Sequence, residues 1–261
     1  MIHPSAIISK NANIDSSTNI GPFCVIGDNV KIGKHNQLIS HVSITGNTKI
    51  EDNNVFFPFC SIGSEPQDLK FNKETSYLEI GNNNKFRENV TVNPGTQGGG
   101  LKTIIQDKCL FMVGSHVAHD CKIKSNVILA NNATLAGHVE IDNNAILGGN
   151  SAVHQFVRIG KFAMIGGMSG VEKDIIPYGL YTGIRENLKG INLIGLKRKG
   201  LDNTTINKIN NIIKDIFSSK DTITNNIKNL KAEFNKTIEI KEIINFINDS
   251  PKRGLCVLEN E

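Results

Sequence analysis

The residues of this chain whose types and spacing could do chemistry are four histidines, one carboxylate and one amide. His119 and Asp120 are adjacent, His116 precedes them, and His138, His154 and Gln155 follow. Imidazoles that converge can do two kinds of work. Several together can ligate Zn²⁺. One near-neutral ring can instead act as a general base on an attacking hydroxyl, a role worth roughly 10²–10⁴ in rate, with a neighbouring carboxylate fixing its tautomer. Both roles require residues scattered between positions 116 and 155 to meet in one place, so the question passes to the elements that position them.

Those elements show as a period of six. From Ile105 through Phe111, Val117, Ile123 and onward to Val171, every sixth residue is apolar. Two places before each stands a small or β-branched residue, such as Cys109, Ser115 and Cys121. Six is three times the strand period, so the marked side chains face one way along extended segments. Repeats this short bury their apolar side only by stacking coil on coil, as in a solenoid. The same period runs from Ile8 to Ile62 and returns at Ile80, Phe86 and Val92. It lapses at about 64–79 without losing the six-residue phase, where an excursion replaces the inner units, and at 93–103 with a shift of phase. Three marked positions per triangular turn predict about eight coils, with parallel strands about 4.8 Å apart.

A coil of eighteen residues gives every position an angular address. On that count His119, His138 and Gln155, with His154 beside it, share one corner of three consecutive coils, and His116 lies nearby. Asp120 falls eighteen before His138 and should lie against it, farther from its neighbour His119, because adjacent strand residues point to opposite faces; both pairings remain open. Backbone N–H groups at the Gly137 corner could stabilise an oxyanion. Asn131, Gly149 and Gly167 form a second column, which serves either corner geometry or a groove for a linear apolar chain.

Composition narrows the class. Hydrophobic residues make up 39% and aromatics 6%, with no Trp, which suits a thin core of Ile, Val, Leu and small residues. A net charge of +4 does not argue for nucleic acid; an acidic protein partner or a phosphate-bearing ligand fits as well. Met1 to Lys10 lacks the pattern of a secretory signal, and no apolar run is long enough to span a membrane, so the cytoplasm is the expected location. Cys24, Cys60, Cys109 and Cys121 occupy the small-residue slot, as inward-facing hydrophobes rather than disulfide or zinc partners. The glycines at 98–100 lack the GK[ST] of a P-loop. After Val171 the period ends, and Pro177 and Gly179 open a linker. Helical patterns follow at Ile191–Lys199, in a helix that Asn203 can cap with Ile206, Ile209, Ile212, Ile213 and Ile216 on one face, at Thr222–Phe234, and at Ile238–Ile247 before Pro251. The expected domains are a solenoid over 1–186 and an α-helical C-terminal domain over 187–261.

VGSHVAHDC at 113–121, ILANNATLAGHV at 128–139, GGNSAVHQF at 148–156, QDLKF in the first excursion and NLIGLKRKG near residue 195 resemble one family. It is that of the acyl-carrier-protein-dependent UDP-N-acetylglucosamine O-acyltransferases of lipid A biosynthesis, and the likeness covers nearly the whole chain. The resemblance implies a mainly β fold, a left-handed parallel β-helix, in a homotrimer with active sites between subunits. It implies transfer of a 3-hydroxyacyl group from acyl carrier protein to the sugar 3-hydroxyl of UDP-N-acetylglucosamine, with no cofactor and no metal. By position, His119 would be the general base with Asp120 as its partner, and Gly137 would offer its N–H to the thioester oxygen. Asp68, Lys70, His116, His138, His154 and Gln155 would contact substrate. Gly149 and Gly167 would border the acyl channel, glycine at 167 leaving room for a longer chain, and Asn192, Arg198 and Lys199 would meet the nucleotide. Three departures stand out: Ile194 where the family often has an acidic residue, Arg185 in GIRENLKG, and Asn93-Pro94 in place of a His-Arg pair.

Three rival readings share the repeat. A carbonic-anhydrase-like enzyme would need three His on one zinc ion, a scaffold would need none of the histidines, and an acyltransferase of the same fold would act on an amino-sugar acceptor.

Overall fold

The computed structural model describes residues 1–218, 221–230, 237–249 and 252–258. Its body is a left-handed parallel β-helix of triangular section. Twenty-five short strands run from Ile7–Ile8 to Gly170–Val171, and the second residue of nearly every two-residue strand, or the last of each longer one, is a marked position of the six-residue period. These residues point inward and are almost all buried, from Ile20 to Val171. Small slots fill the corners of the core, where Cys24, Cys60, Cys109 and Cys121 are buried and free. Burial pushes the Cys60 and Cys121 thiols up to about 12 and Cys109 up to about 11, which leaves no thiolate for metal or nucleophilic chemistry.

Corners demand a left-handed residue, and the type the chain uses there most often is Asn, the non-glycine type that tolerates it best. Asn53, Asn83, Asn126 and Asn144 all have φ near +60°. One corner also carries an internal amide ladder. Asn36 Oδ1 accepts from the Asn54 N–H at 2.8 Å, Asn54 Oδ1 from Asn84 at 2.9 Å, and Asn84 Oδ1 from Cys109 at 2.8 Å. Inside the same coils the rings of Phe56, Phe86 and Phe111 stack at 4.8 and 4.7 Å.

Phase behaves differently at the two excursions. Ile62 and Ile80 end consecutive strands, so the first excursion adds residues at a single corner rather than replacing inner units. Its coil neighbours are therefore more than eighteen apart, as in Ile50 beside Ile80. Across the second excursion Ile80 lies beside Ile105, and from Ile105 beside Ile123 the spacing of eighteen holds.

The three faces present different chemistry. One shows Ser43, Ser61, Thr91, His116, Thr134, Ala152 and Gly170 in a row. A second shows Lys31, Lys49, Glu79, Lys122, Glu140 and Arg158, tied by bonds such as Lys122 Nζ to Glu140 at 2.8 Å. The third carries Leu110, Ile128, Ile146, Met164 and Leu180 on its C-terminal half.

This apolar face does not end in another parallel coil. Gly179–Tyr181 joins it in parallel, and Leu188–Ile191 then pairs antiparallel with Gly179–Tyr181. Among the described residues four helices follow: α1 (Leu193–Arg198), α2 (Asn203–Ile216), α3 (Ile223–Lys228) and α4 (Ile238–Asn248). Asp202, rather than Asn203, caps α2 by accepting from the Thr205 N–H at 2.7 Å. Ile206, Ile209, Ile212, Ile213 and Ile216 form its buried face. The expected helix Thr222–Phe234 is helical over Ile223–Lys228, and its positions from Lys231 onward lie outside the described residues, as does Pro251. The helices dock through Lys161 Nζ to Glu242 Oε1 at 2.5 Å and through the Tyr178 hydroxyl, which donates to Glu242. The tail returns to the last coil, where the Asp174 N–H donates to the Gly254 carbonyl and the Cys256 N–H to the Asp174 carbonyl. No helix among the described residues is long and apolar enough to cross a membrane.

Candidate active site

The corner between the small-residue face and the charged face carries the histidines. Each coil begins its crossing with three residues: Ala118-His119-Asp120, Ala136-Gly137-His138, and His154-Gln155-Phe156. The third of each has a left-handed backbone, with φ of 60° at Asp120, 62° at His138 and 66° at Phe156. That conformation bears on the two pairings left open for Asp120. Strand alternation would turn the carboxylate away from His119, but a left-handed corner residue does not alternate. The His119 Nδ1–H donates to Asp120 Oδ2 at 2.8 Å, while His138 Nδ1 stands 3.9 Å from the same oxygen. Eighteen-residue counting does place Asp120 in line with His138, yet the hydrogen bond goes to the neighbour.

Asp120 is 3% exposed and is held from the other side by the second excursion. Thr96 donates its N–H to both carboxylate oxygens at 3.0 Å and its hydroxyl to Oδ2 at 2.6 Å. Gly99 lets this loop close, because a Cβ there would fall 2.0 Å from Asp120 Cγ. Burial raises the Asp120 pKa, but the bonds from His119 and Thr96 outweigh it, and the net shift is downward. The carboxylate therefore stays ionised and accepts from Nδ1, which leaves His119 Nε2 as the basic nitrogen.

Gly137 sits on that nitrogen's flank. A Cβ at residue 137 would lie 2.4 Å from His119 Cε1 and 2.6 Å from Nε2, so the imidazole occupies space only a glycine vacates. Among the described residues the Gly137 N–H meets no protein acceptor. His138 meets His119 edge to face at 5.0 Å and stacks on Phe156 at 4.3 Å. Burial lowers the His138 pKa, Asp120 opposes the shift, and His119 and Lys252 add to it. Asp68 also acts on His138, which brings the first excursion to this corner; there the Lys70 N–H donates to Asp68 Oδ1 at 3.0 Å and the Lys70 side chain is exposed. His116 stands on the adjacent strand with Nδ1 2.7 Å from Thr91 Oγ1, and burial lowers its pKa as well. His154 and Gln155 are exposed at the same corner. Gly98, Gly99, Asp120, His138, Phe156 and Lys252 line a cleft of about 350 Å³.

His119, Asp120 and His138 are close enough together to offer one ligand atom each to a metal ion. Two of the three are already engaged, since Nδ1 of His119 bonds the carboxylate and the carboxylate also bonds Thr96. That donor set fits a base and its orienting partner better than an ion.

The remaining sequence-derived candidates are not at this corner. Asn192, Arg198 and Lys199 line a separate cavity of about 860 Å³ on the apolar face, with Ile128, Ile146 and Met164. Asn192 caps α1 by accepting from the Gly195 N–H at 2.9 Å, and Lys199 Nζ bonds Glu239 at 3.2 Å and lies 4.9 Å from the Phe162 ring centre. Gly149 and Gly167 stack at the third corner; a Cβ on Gly167 would come 3.2 Å from the Gly149 carbonyl oxygen. Phe156, Thr96 and Lys252 are among the residues at the site that the sequence reading does not single out. Phe156 lies eighteen after His138 and could have been found by counting. Thr96 belongs to an excursion and Lys252 to the tail, and neither carries a phase.

Two family models match the chain: bacterial transferase hexapeptide (six repeats) over residues 102–137, and domain 2 of UDP N-acetylglucosamine O-acyltransferase over residues 174–256. The chain is similar to the acyl-[acyl-carrier-protein]–UDP-N-acetylglucosamine O-acyltransferase of Thermodesulfovibrio yellowstonii, 47% identical over 98% of each chain. It is 46% identical to the Rickettsia canadensis protein of the same name, over 99% of this chain and 98% of that one. The solved UDP-N-acetylglucosamine acyltransferase of Francisella novicida superposes with a TM-score of 0.94 at 37% identity, over 100% of this chain and 95% of that one.

Proposed function

We infer the chemistry from one premise: the chain belongs to the acyl-[acyl-carrier-protein]–UDP-N-acetylglucosamine O-acyltransferase family. It is an acyltransferase, acting from acyl carrier protein on UDP-N-acetylglucosamine in the first step of lipid A biosynthesis. In the reading we propose, His119 Nε2 takes the proton of the sugar 3-hydroxyl as that oxygen attacks the thioester carbon of a 3-hydroxyacyl donor. The carbonyl electrons move to oxygen, and the Gly137 N–H donates to the oxyanion. Collapse expels the carrier's thiolate, which takes the proton back from His119, now the acid. Asp120 holds the imidazolium in register throughout. The observation that carries this reading is the engagement of Nδ1 by a buried, ionised carboxylate, with Nε2 beside an unpartnered N–H.

The substrate roles of Asp68, Lys70, His116, His138, His154, Gln155, Gly149 and Gly167 are part of the same proposal, as are those of Asn192, Arg198 and Lys199. So is a cytoplasmic homotrimer. One chain holds the base and the nucleotide candidates in different cavities, and only a second copy can bring them to one substrate. The faces support such a ring: an apolar half-face and a small-residue face are complementary, a heterologous contact that can close, while the charged face suits water.

The test is product mass from a panel of acyl carrier protein thioesters with UDP-N-acetylglucosamine, run after exhaustive chelation. A singly O-acylated nucleotide sugar supports the reading. Activity abolished by chelation and restored by zinc would replace it with the metal mechanism.

A further inference from the structure

The C-terminal tail sends a cation to the histidine cleft. Arg253 fastens it there, its Nε–H donating to the Gln155 carbonyl at 2.7 Å, and the bonds of Gly254 and Cys256 to Asp174 hold the next residues on the last coil. Lys252 therefore stands on an anchored segment. Its Nζ lies 4.9 Å from the centre of the Phe156 ring, the ring that stacks on His138, and its side chain lines the cleft with Asp120 and His138.

Two other cations line this cleft, and both are compensated. Lys122 bonds Glu140 at 2.8 Å; Arg158 bonds Asp174 at 2.7 Å and stands 3.9 Å from Asp249. Among the described residues no carboxylate pairs with Lys252, which rests on an aromatic face alone. An uncompensated ammonium in the cleft that Asp120 and His138 line is suited to an anion that arrives with substrate. Both substrates of the proposed reaction bring one: the donor's pantetheine arm ends in a phosphodiester, and the acceptor carries a diphosphate.

Resting on the acyl-transfer reading, we propose that Lys252 binds a substrate phosphate at the mouth of the histidine cleft, the C-terminal tail thus completing the site. An ammonium is a flexible point charge that suits this task.

Lys252→Ala and Lys252→Arg are compared with the parent protein in steady-state kinetics. One arm titrates UDP-N-acetylglucosamine. The other compares acyl-phosphopantetheine with its dephosphorylated acyl-pantetheine counterpart as donors. Lys252→Ala should raise one KM roughly three- to fivefold, the scale of one exposed charge contact, and Lys252→Arg should restore most of it. A rise for the nucleotide sugar assigns the diphosphate. A lost preference for the phosphorylated donor assigns the pantetheine arm. Both KM values unchanged within about twofold in Lys252→Ala would overturn the proposal. A parent protein that transfers no acyl group would instead overturn the reading beneath it.

Discussion

Phe23, His41 and Phe59 meet as tilted rings along one corner of the N-terminal coils at 4.9 and 5.1 Å, and His119, His138 and Phe156 meet along another, edge to face at 5.0 Å and stacked at 4.3 Å. Both columns use left-handed residues: φ is 58°, 51° and 66° in the first, and 62° and 66° at His138 and Phe156 in the second. The backbone and the ring spacing are nearly the same. What differs is the cover. Phe23 and Phe59 are more than half exposed, and no carboxylate pairs with His41 among the described residues. At the second corner an excursion folds over, buries Asp120 and fixes one nitrogen of His119. A repeated corner thus supplies position, and an interruption of the repeat supplies reactivity.

The sharpest way to break that contrast is to remove the base. His119→Ala should cost acyl transfer roughly 10²–10⁴-fold with the elution volume of the assembly unchanged; residual activity near the parent's would return His119 to the status of His41. Next comes Gly137→Ala, whose methyl group would enter the space of the imidazole. Displacing that ring should lower kcat about 10²-fold while circular dichroism stays the same. Thr96→Val, which keeps the N–H bonds to Asp120 and deletes the hydroxyl bond, should lower kcat/KM about tenfold.

It should also move the pH dependence of stability. The Asp120 pKa is depressed in the fold, so its stabilising bonds are present above the ordinary carboxylate value and lost as pH falls through the folded one. Losing the hydroxyl bond raises that folded value, so acid unfolding should begin at higher pH in Thr96→Val than in the parent. An acid-unfolding midpoint that stays put would mean Thr96 only packs. The smallest effect is expected at the other column, where His41→Ala should leave kcat/KM within about twofold.

The strands were legible because burial in a thin prism leaves little choice at each sixth position. Corner membership of His119, His138 and Gln155 followed from the coil length. The partner of Asp120 did not, since alternation describes strands and Asp120 is a corner residue with positive φ. The excursions were harder still: at 64–79 the six-residue phase survives an insertion, so phase alone could not show that residues had been added to one corner. Thr96 and Lys252 reach the site from segments without a period, one over a glycine loop and one along a tail, and pattern carries no information there. Asn192, Arg198 and Lys199 were named through family likeness, and their placement on another face is what directs attention to a second copy.

One consequence follows from the reversed strand at the end of the apolar face. A stack of parallel coils is a template for more of itself, and an uncapped tip is where rods join lengthwise into fibres. Leu188–Ile191 runs against that template. On this face an arriving coil would meet a strand of the opposite sense, with the tail at Leu258 already bridged to Leu188, which works against lengthwise joining there.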